Sequence, residues 1–387
     1  MTEKNLKPGW RRVKFGDVVQ LSKARCADPL ADGVERYVGL EHLEPGDLRI
    51  RSWGNVADGV TFTSVFQPGQ VLFGKRRAYQ RKVAVANFSG VCSGDIYVME
   101  TKDAKVLIPE LLPFICQTDA FFDHAVGTSA GSLSPRTNWT SLADFEFALA
   151  PMGEQMRIAS AIDAAMQCER AYGHALNTAK TLFRSASISL LQPSEIWTET
   201  TLQEVASVER GKFSHRPRNL PEFFGGPYPF VQTGDIVAST GNLKSASQML
   251  SEEGLKYSKS FPENSILITI AANIGYTAIT DQETWCSDSV VGIVPKSGTN
   301  VRFLEYVLRT KQKYLENHVA TQTAQKNINL QELKPLRLGM PDSETQKYIA
   351  DQLFGLEKTI TDLENQLTVA RNFRIKLSNE KIGVANV

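Results

Sequence analysis

Apolar residues recur most regularly in two stretches of the chain. Ile158, Ile162, Ala165, Glu169, Tyr172, Leu176, Ala179, Phe183 and Ala186 advance by alternating steps of four and three. Ile349, Leu353, Leu356, Ile360, Leu363, Leu367, Ala370, Arg374 and Leu377 repeat the steps, each 191 positions after its counterpart. A sustained 3-4 spacing places an apolar seam along one side of a helix, as in a coiled coil. Each run covers roughly 33 residues, about 50 Å of helix, nearly three times a typical globular helix. The spacing therefore predicts two long helices packed on each other. Glu169 and Arg374 alone interrupt the seams. They align in the repeat with Ile360 and Phe183, so the two breaks fall at different places. Both helices follow a proline and a glutamine, Pro151 to Gln155 and Pro341 to Gln346, and Ser343 with Gln346 forms a candidate capping box.

The helices end a larger repeat. Trp10 opens WRRVKFGDVVQL and Trp197 opens WTETTLQEVASV. YVGLEHL from Tyr37 is echoed by FVQTGDI from Phe230, and FQPGQVLFG from Phe66 by FPENSILIT from Phe261. The last pair each read as a turn followed by a strand. Cys92 recurs as Cys286 and His124 as His318, and the segments before the histidines, 111–122 and 303–315, read as helices. The resulting class is α+β: two similar mixed α/β globular domains and two long helices forming an antiparallel coiled coil, related by a pseudo-twofold repeat. The boundaries are 1–150 and 194–340 for the domains, 151–193 and 341–387 for the helices. A period near 190 residues is too long for a solenoid. Two like faces held a fixed distance apart suit a ligand with approximate twofold symmetry, such as the backbone of duplex DNA.

Composition narrows this little. The 387 residues allow two or three domains with real cores, and a net charge of +1 neither demands nor excludes nucleic acid. No stretch approaches a bilayer span and the N-terminus lacks a signal-peptide core. Five cysteines without a CxxC pair argue for a reducing, cytoplasmic setting and against a zinc site.

Candidate chemistry concentrates in one loop, GKRRAYQRK, with Lys75, Arg76, Arg77, Tyr79, Gln80, Arg81 and Lys82. Arginine and glutamine can pair bidentately with base edges, while clustered cations anchor phosphates. A solvated charged hairpin is the plain alternative. The second domain has AANIGY in the same place, without the charges but with Asn273 and Tyr276; its cations gather in RGKFSHRPRN instead. GTSAG around Ser129 matches a nucleophile elbow, but the expected helix before it and Pro135 after it oppose the required strand-turn-helix. His42, His124, His174, His215 and His318 lack metal-ligand spacing. In PDSETQK the acid and lysine have the wrong spacing for a nuclease site, and P-loop, HExxH and NPPY-like motifs are missing. The sequence offers no convincing active site.

The tryptophan-led openings, the GQVLFGKRRAYQRK strand and loop, and the P-x-x-E-Q-x-R-I-A helix start resemble the specificity subunit of type I restriction–modification systems over essentially the whole chain. The second helix start departs by one residue (PDSETQKYIA). The resemblance implies two target recognition domains, each reading half of a split asymmetric site in double-stranded DNA, with the coiled coil as spacer. It implies two methyltransferase (modification) subunits docked on the chain and restriction subunits carrying motor and nuclease. S-adenosylmethionine, ATP and Mg²⁺ would then sit on those partners, with no cofactor, metal or catalysis on this chain. On this reading the DNA contacts are Lys75, Arg76, Arg77, Tyr79, Gln80, Arg81 and Lys82 in the first domain, with Lys23, Arg25 and Arg136 beside them. In the second they are Lys212, Arg216, Arg218, Asn273 and Lys326. The alternatives are the specificity chain of a type IIB enzyme and a coiled-coil scaffold that does not read DNA.

Overall fold

A computed structural model describes residues 6–382, except 216, 218, 240, 320–326 and the side chain of 318. The chain divides into two compact units, Met1–Ala175 with Leu363–Val387, and Leu176–Asp362. Each therefore contains one globular domain and a part of each long helix.

The first unit contains β1 (Arg11–Lys14), β2 (Val19–Leu21), β3 (Arg36–Val38), β4 (Gly54–Asn55), β5 (Ser64–Phe66), β6 (Val71–Gly74), β7 (Val83–Val85), β8 (Gly90–Cys92), β9 (Ile96–Thr101) and β10 (Glu146–Leu149). They form the pair β1-β10 and two four-stranded sheets, ordered β2-β9-β6-β7 and β4-β3-β8-β5. β6 lies fully buried between β9 and β7, with Leu72 opposite Val98 and Ala84. An uninterrupted apolar run is what a strand covered on both faces requires.

The second unit repeats this plan in β11 (Thr198–Thr201), β12 (Ala206–Arg210), β13 (Phe224–Val231), β14 (Gly241–Asn242), β15 (Gln248–Leu250), β16 (Lys259–Phe261), β17 (Ile266–Thr269), β18 (Thr277–Ile279), β19 (Thr284–Cys286), β20 (Val290–Pro295) and β21 (Arg337–Met340). The sheets run β11-β21, β12-β20-β17-β18-β14 and β15-β13-β19-β16. Even the unusual pairing recurs: β3 runs parallel to β8 with Val38 opposite Cys92, and β13 parallel to β19 with Val231 opposite Cys286. Both thiols are buried, which pushes the Cys92 pKa up to about 12 and that of Cys286 up as well. They pack as small apolar groups.

The long helices span Met152–Leu190 and Ser343–Ile382. Their first turns complete the domain cores. Ile158, Ile162 and Met166 join Phe15, Phe73 and Phe121, while Ile349, Ala350 and Leu353 join Ile268, Phe303 and Leu304. Farther along, the apolar seam of each helix stays largely covered, with Phe183 also meeting the Tyr306 ring of the second domain. Ala165, Leu176 and Ala179 are buried; Tyr172, Phe183, Leu356, Ile360, Leu363, Leu367 and Leu377 are half-buried. The pairing is antiparallel within each unit. In the first, Leu377 and Ile382 pack with Ile158 and Ile162; in the second, Phe183 and Ala186 pack with Ile349 and Leu353.

Three local expectations change. Ser343 does not cap the second helix: Asp342 does, accepting from Thr345 N at 2.9 Å and lying one residue before the first turn. Residues 111–122 are not one helix, because Thr118 is extended, ends Leu112–Gln117 and caps Asp119–Gly127 through its hydroxyl. The seam breaks also meet, although they are offset in the repeat. Antiparallel pairing brings Arg374 Nε to 2.7 Å from Glu169, with Arg371 Nε at 3.0 Å.

Candidate nucleic-acid interface

In the first domain the polypeptide leaving β2 and the loop leaving β6 border a cleft of about 620 Å³. Gln20, Ser22, Lys23, Arg25 and Lys75 supply its polar lining, and Tyr97 and Trp139 its aromatic part. Lys75 lies over the Tyr97 ring at 4.7 Å from the centroid, an arrangement that favours the ammonium and fixes its direction. Beside it Arg76 bridges Arg136 in antiparallel fashion. Both guanidinium groups reach Asp95, Arg136 Nε at 2.8 Å and Arg76 Nη1 at 3.3 Å. Arg136 and then Arg76 hold the Asp95 carboxyl below the usual aspartate range, despite its partial burial. This cluster has two cations on one acid, with three further cations at the cleft. Such a surface attracts phosphate oxygens and presents pre-oriented donors.

The structure does not gather all the residues of the basic loop there. Arg81 turns to Asp119 and the Gln117 carbonyl, stacking on Phe122, and Lys82 donates to the Leu40 carbonyl at 2.7 Å. Both are committed inside the first unit, Arg81 beside a groove of about 490 Å³ that also takes Arg371 and Arg374. Tyr79 is 55 % exposed at the loop tip and Gln80 is half-buried beside it. Arg77 and Arg81 adopt left-handed backbone at φ 54° and 55°, a costly conformation for non-glycine residues. The Nε atoms of Arg76 and Arg77 are buried without a hydrogen-bond partner.

The equivalent loop in the second domain hangs from the same frame. Lys75 N donates to Asp95 O and its carbonyl accepts from Thr137 N; Ile270 does the same with Ser289 O and Ile328 N. The Arg76–Arg136 bridge becomes Ala271–Asn327. Ala272 matches Arg77 in its positive φ, and Gly275 takes the place of Arg81 in a loop one residue shorter. Asn273 and Tyr276 remain exposed. Lys212 is exposed on the segment after β12, anchored by its own N–H to the Cys286 carbonyl. Arg216, Arg218 and Lys326 lie outside the described residues.

Ser129, at the would-be elbow, donates to the Ala125 carbonyl of the preceding helix at 2.7 Å, and His124 bonds to the Ser141 carbonyl. No cluster of metal-ligating residues occurs among the described residues, and none of the described helices is long and apolar enough to cross a membrane. Sequence reasoning overlooked Asp95, Tyr97 and Trp139. A search for cations passes over an acid that orients them, and nothing local marks the aromatic residues as neighbours of Lys75.

Comparison with known proteins bears on this geometry. The model of the type I restriction modification DNA specificity domain matches residues 194–370. The specificity subunit of the type I restriction enzyme EcoDI from Escherichia coli is 29 % identical over 164 residues, 40 % of this chain and 34 % of that protein. The chain thus matches about a third of that relative's length. Among solved structures, the HsdS subunit from Thermoanaerobacter tengcongensis matches 98 % of this chain and 97 % of its own with a TM-score of 0.53 and 19 % identity. The type I restriction–modification S subunit from M. genitalium matches 99 % and 98 % with a TM-score of 0.64 and 12 % identity.

Proposed function

We infer that this chain, which belongs to the family of type I restriction–modification specificity subunits, is the DNA-reading subunit of such a complex. Residues 1–150 and 194–340 are assigned as the two readers of a split, asymmetric site. Residues 151–193 and 341–387 are assigned as the helical spacer that sets the gap. The observation that carries the reading is one strand frame built twice, with contact loops that share their backbone course and differ in chemistry. Such a pair reads two unlike sequences. The first domain offers the cation-lined cleft of Lys23, Arg25 and Lys75; the second offers Lys212 and Asn273, with the flanking cations of 216 and 218.

The chain is non-catalytic on this reading. Two methyltransferase subunits dock on it and extrude the target adenine for methylation, and restriction subunits complete the assembly. S-adenosylmethionine, ATP and Mg²⁺ belong to those partners, and the complex works in the cytoplasm. Dividing recognition helps because each base pair contributes only about 1–3 kcal/mol of discrimination. Two short readings add up when their separation is fixed.

The test is to co-express the chain with its methyltransferase in a host lacking background methylation and map modified adenines genome-wide. A split motif with one fixed gap, lost when the chain is omitted, is the expected result. An unsplit motif, or one that persists without the chain, would overturn the reading in favour of an assembly scaffold.

A further inference from the structure

The glutamines that follow the two helix-start prolines are among the most deeply buried polar residues of the protein, 1 % exposed at Gln155 and 3 % at Gln346. Neither faces the candidate interface. Each ties three pieces of chain together through one side-chain amide. Gln155 Nε2 donates to the Val106 and Ala150 carbonyls at 2.8 and 2.9 Å, and its Oε1 accepts from Ile108 N at 3.1 Å. Gln346 Nε2 donates to the Pro341 and Gly298 carbonyls at 2.9 and 3.4 Å, and its Oε1 accepts from Asn300 N at 2.9 Å. The two sites are equivalent in the repeat and make the same three bonds. Each joins the root of a long helix to the end of a strand (β10 or β21) and to the segment that opens the domain's helical region.

We propose that Gln155 and Gln346 are positioning residues that fix the angle at which each helix leaves its domain, and so set how strictly the complex measures the gap between half-sites. The inference rests on the DNA-reading function proposed above. Leverage makes the root of a helix decisive. Residues Met152–Leu190 extend 39 residues, about 58 Å at 1.5 Å per residue. A tilt of about 4° at the root moves the far end by ~4 Å over that length, more than the roughly 3.4 Å between successive base pairs. Apolar packing of Ile158 or Ile349 holds the helix against its core but is non-directional. The amide bonds are directional and attach the helix to two separate backbone segments, so they resist rocking where packing resists only separation.

The experiment uses the assembled methyltransferase complex with Gln155→Met or Gln346→Met, which keep side-chain length and remove the bonds. Duplexes carry the two half-sites mapped for the wild type, separated by the native gap or by one base pair more or less. Methylation rates on the three duplexes give a gap-discrimination ratio. The expected outcome is a ratio reduced about tenfold in each variant, the factor equivalent to ~1.4 kcal/mol, with the half-site bases unchanged. A role in folding alone would lower the rate on all three duplexes alike, and a ratio within twofold of wild type in both variants overturns the proposal. If neither variant assembles, Gln155→Glu, with the same shape and the acceptor for Ile108 retained, is measured against the same criterion. Failure of the DNA-reading function itself would show separately, as a wild-type complex without a chain-dependent split motif.

Discussion

The Glu169–Arg374 pair gives a quantitative test of the helix pairing. Arg374 is almost completely buried, 8 % exposed at its side chain, and Glu169 is 18 % exposed. Arg371 completes the group but is 58 % exposed, so its share is the 0–1 kcal/mol or so of a surface ion pair. Glu169→Gln leaves the Arg374 guanidinium buried opposite a neutral amide. Removing one member of a buried pair costs about 3–5 kcal/mol, and the residual exposure of Glu169 points to the lower end. Replacing both partners has the opposite expectation. The repeat supplies the replacements, since Ile360 and Phe183 occupy the positions that correspond to Glu169 and Arg374. Glu169→Ile with Arg374→Phe should lie within about 1 kcal/mol of wild type or exceed its stability. Urea unfolding of wild type, Glu169→Ile, Arg374→Phe and the double variant, all in the full chain, closes a double-mutant cycle. A Glu169→Gln cost below about 1 kcal/mol, or additive losses in the double variant, would show that the two side chains do not meet in a buried seam.

Three further outcomes follow from the geometry. Lys75→Ala should weaken DNA binding by the complex similarly across sequences and flatten the salt dependence by about one unit of log–log slope, as measured by binding titrations at several salt concentrations. For Asp95 the folded pKa is depressed. Its stabilisation is therefore present above the unfolded value of about 3.9 and is lost as pH falls through the lower folded value. Thermal melts of wild type and Asp95→Asn should accordingly differ near neutrality and converge in strong acid. In the second unit Glu305 is fully buried, held by Arg309 at 2.7 Å and by the Thr277 hydroxyl at 2.7 Å, and burial pushes its carboxyl above the ordinary glutamate value against both partners. Thr277→Val should cost about 1.5–3 kcal/mol in urea unfolding.

The repeat, the long helices and the correspondence of the 75–82 and 270–276 loops were legible in the sequence because each rests on local period or on spacing shared by the two halves. Directions of long side chains were not. Arg81 and Lys82 read as DNA-facing cations until Asp119, Gln117 and Leu40, all distant in sequence, are placed beside them. The meeting of Glu169 and Arg374 was hidden for a related reason. Aligning the repeat compares equivalent positions, whereas an antiparallel pair opposes inequivalent ones. Gln155 and Gln346 stood out only as part of a helix start; their partners at 106–108 and 298–300 lie nearly 50 residues earlier.

The shared frame of the two loops has an evolutionary consequence. A backbone that makes the same bonds around Lys75 and Ile270, turns through a left-handed residue at Arg77 and Ala272, and accepts a residue more or less before Lys82 and Tyr276 tolerates changes of wording without redesign. Insertions and substitutions can accumulate at the tip while strands β6 and β17 stay buried. On the DNA-reading function proposed above, a new target would then follow from changes at one loop tip that leave the two long helices untouched.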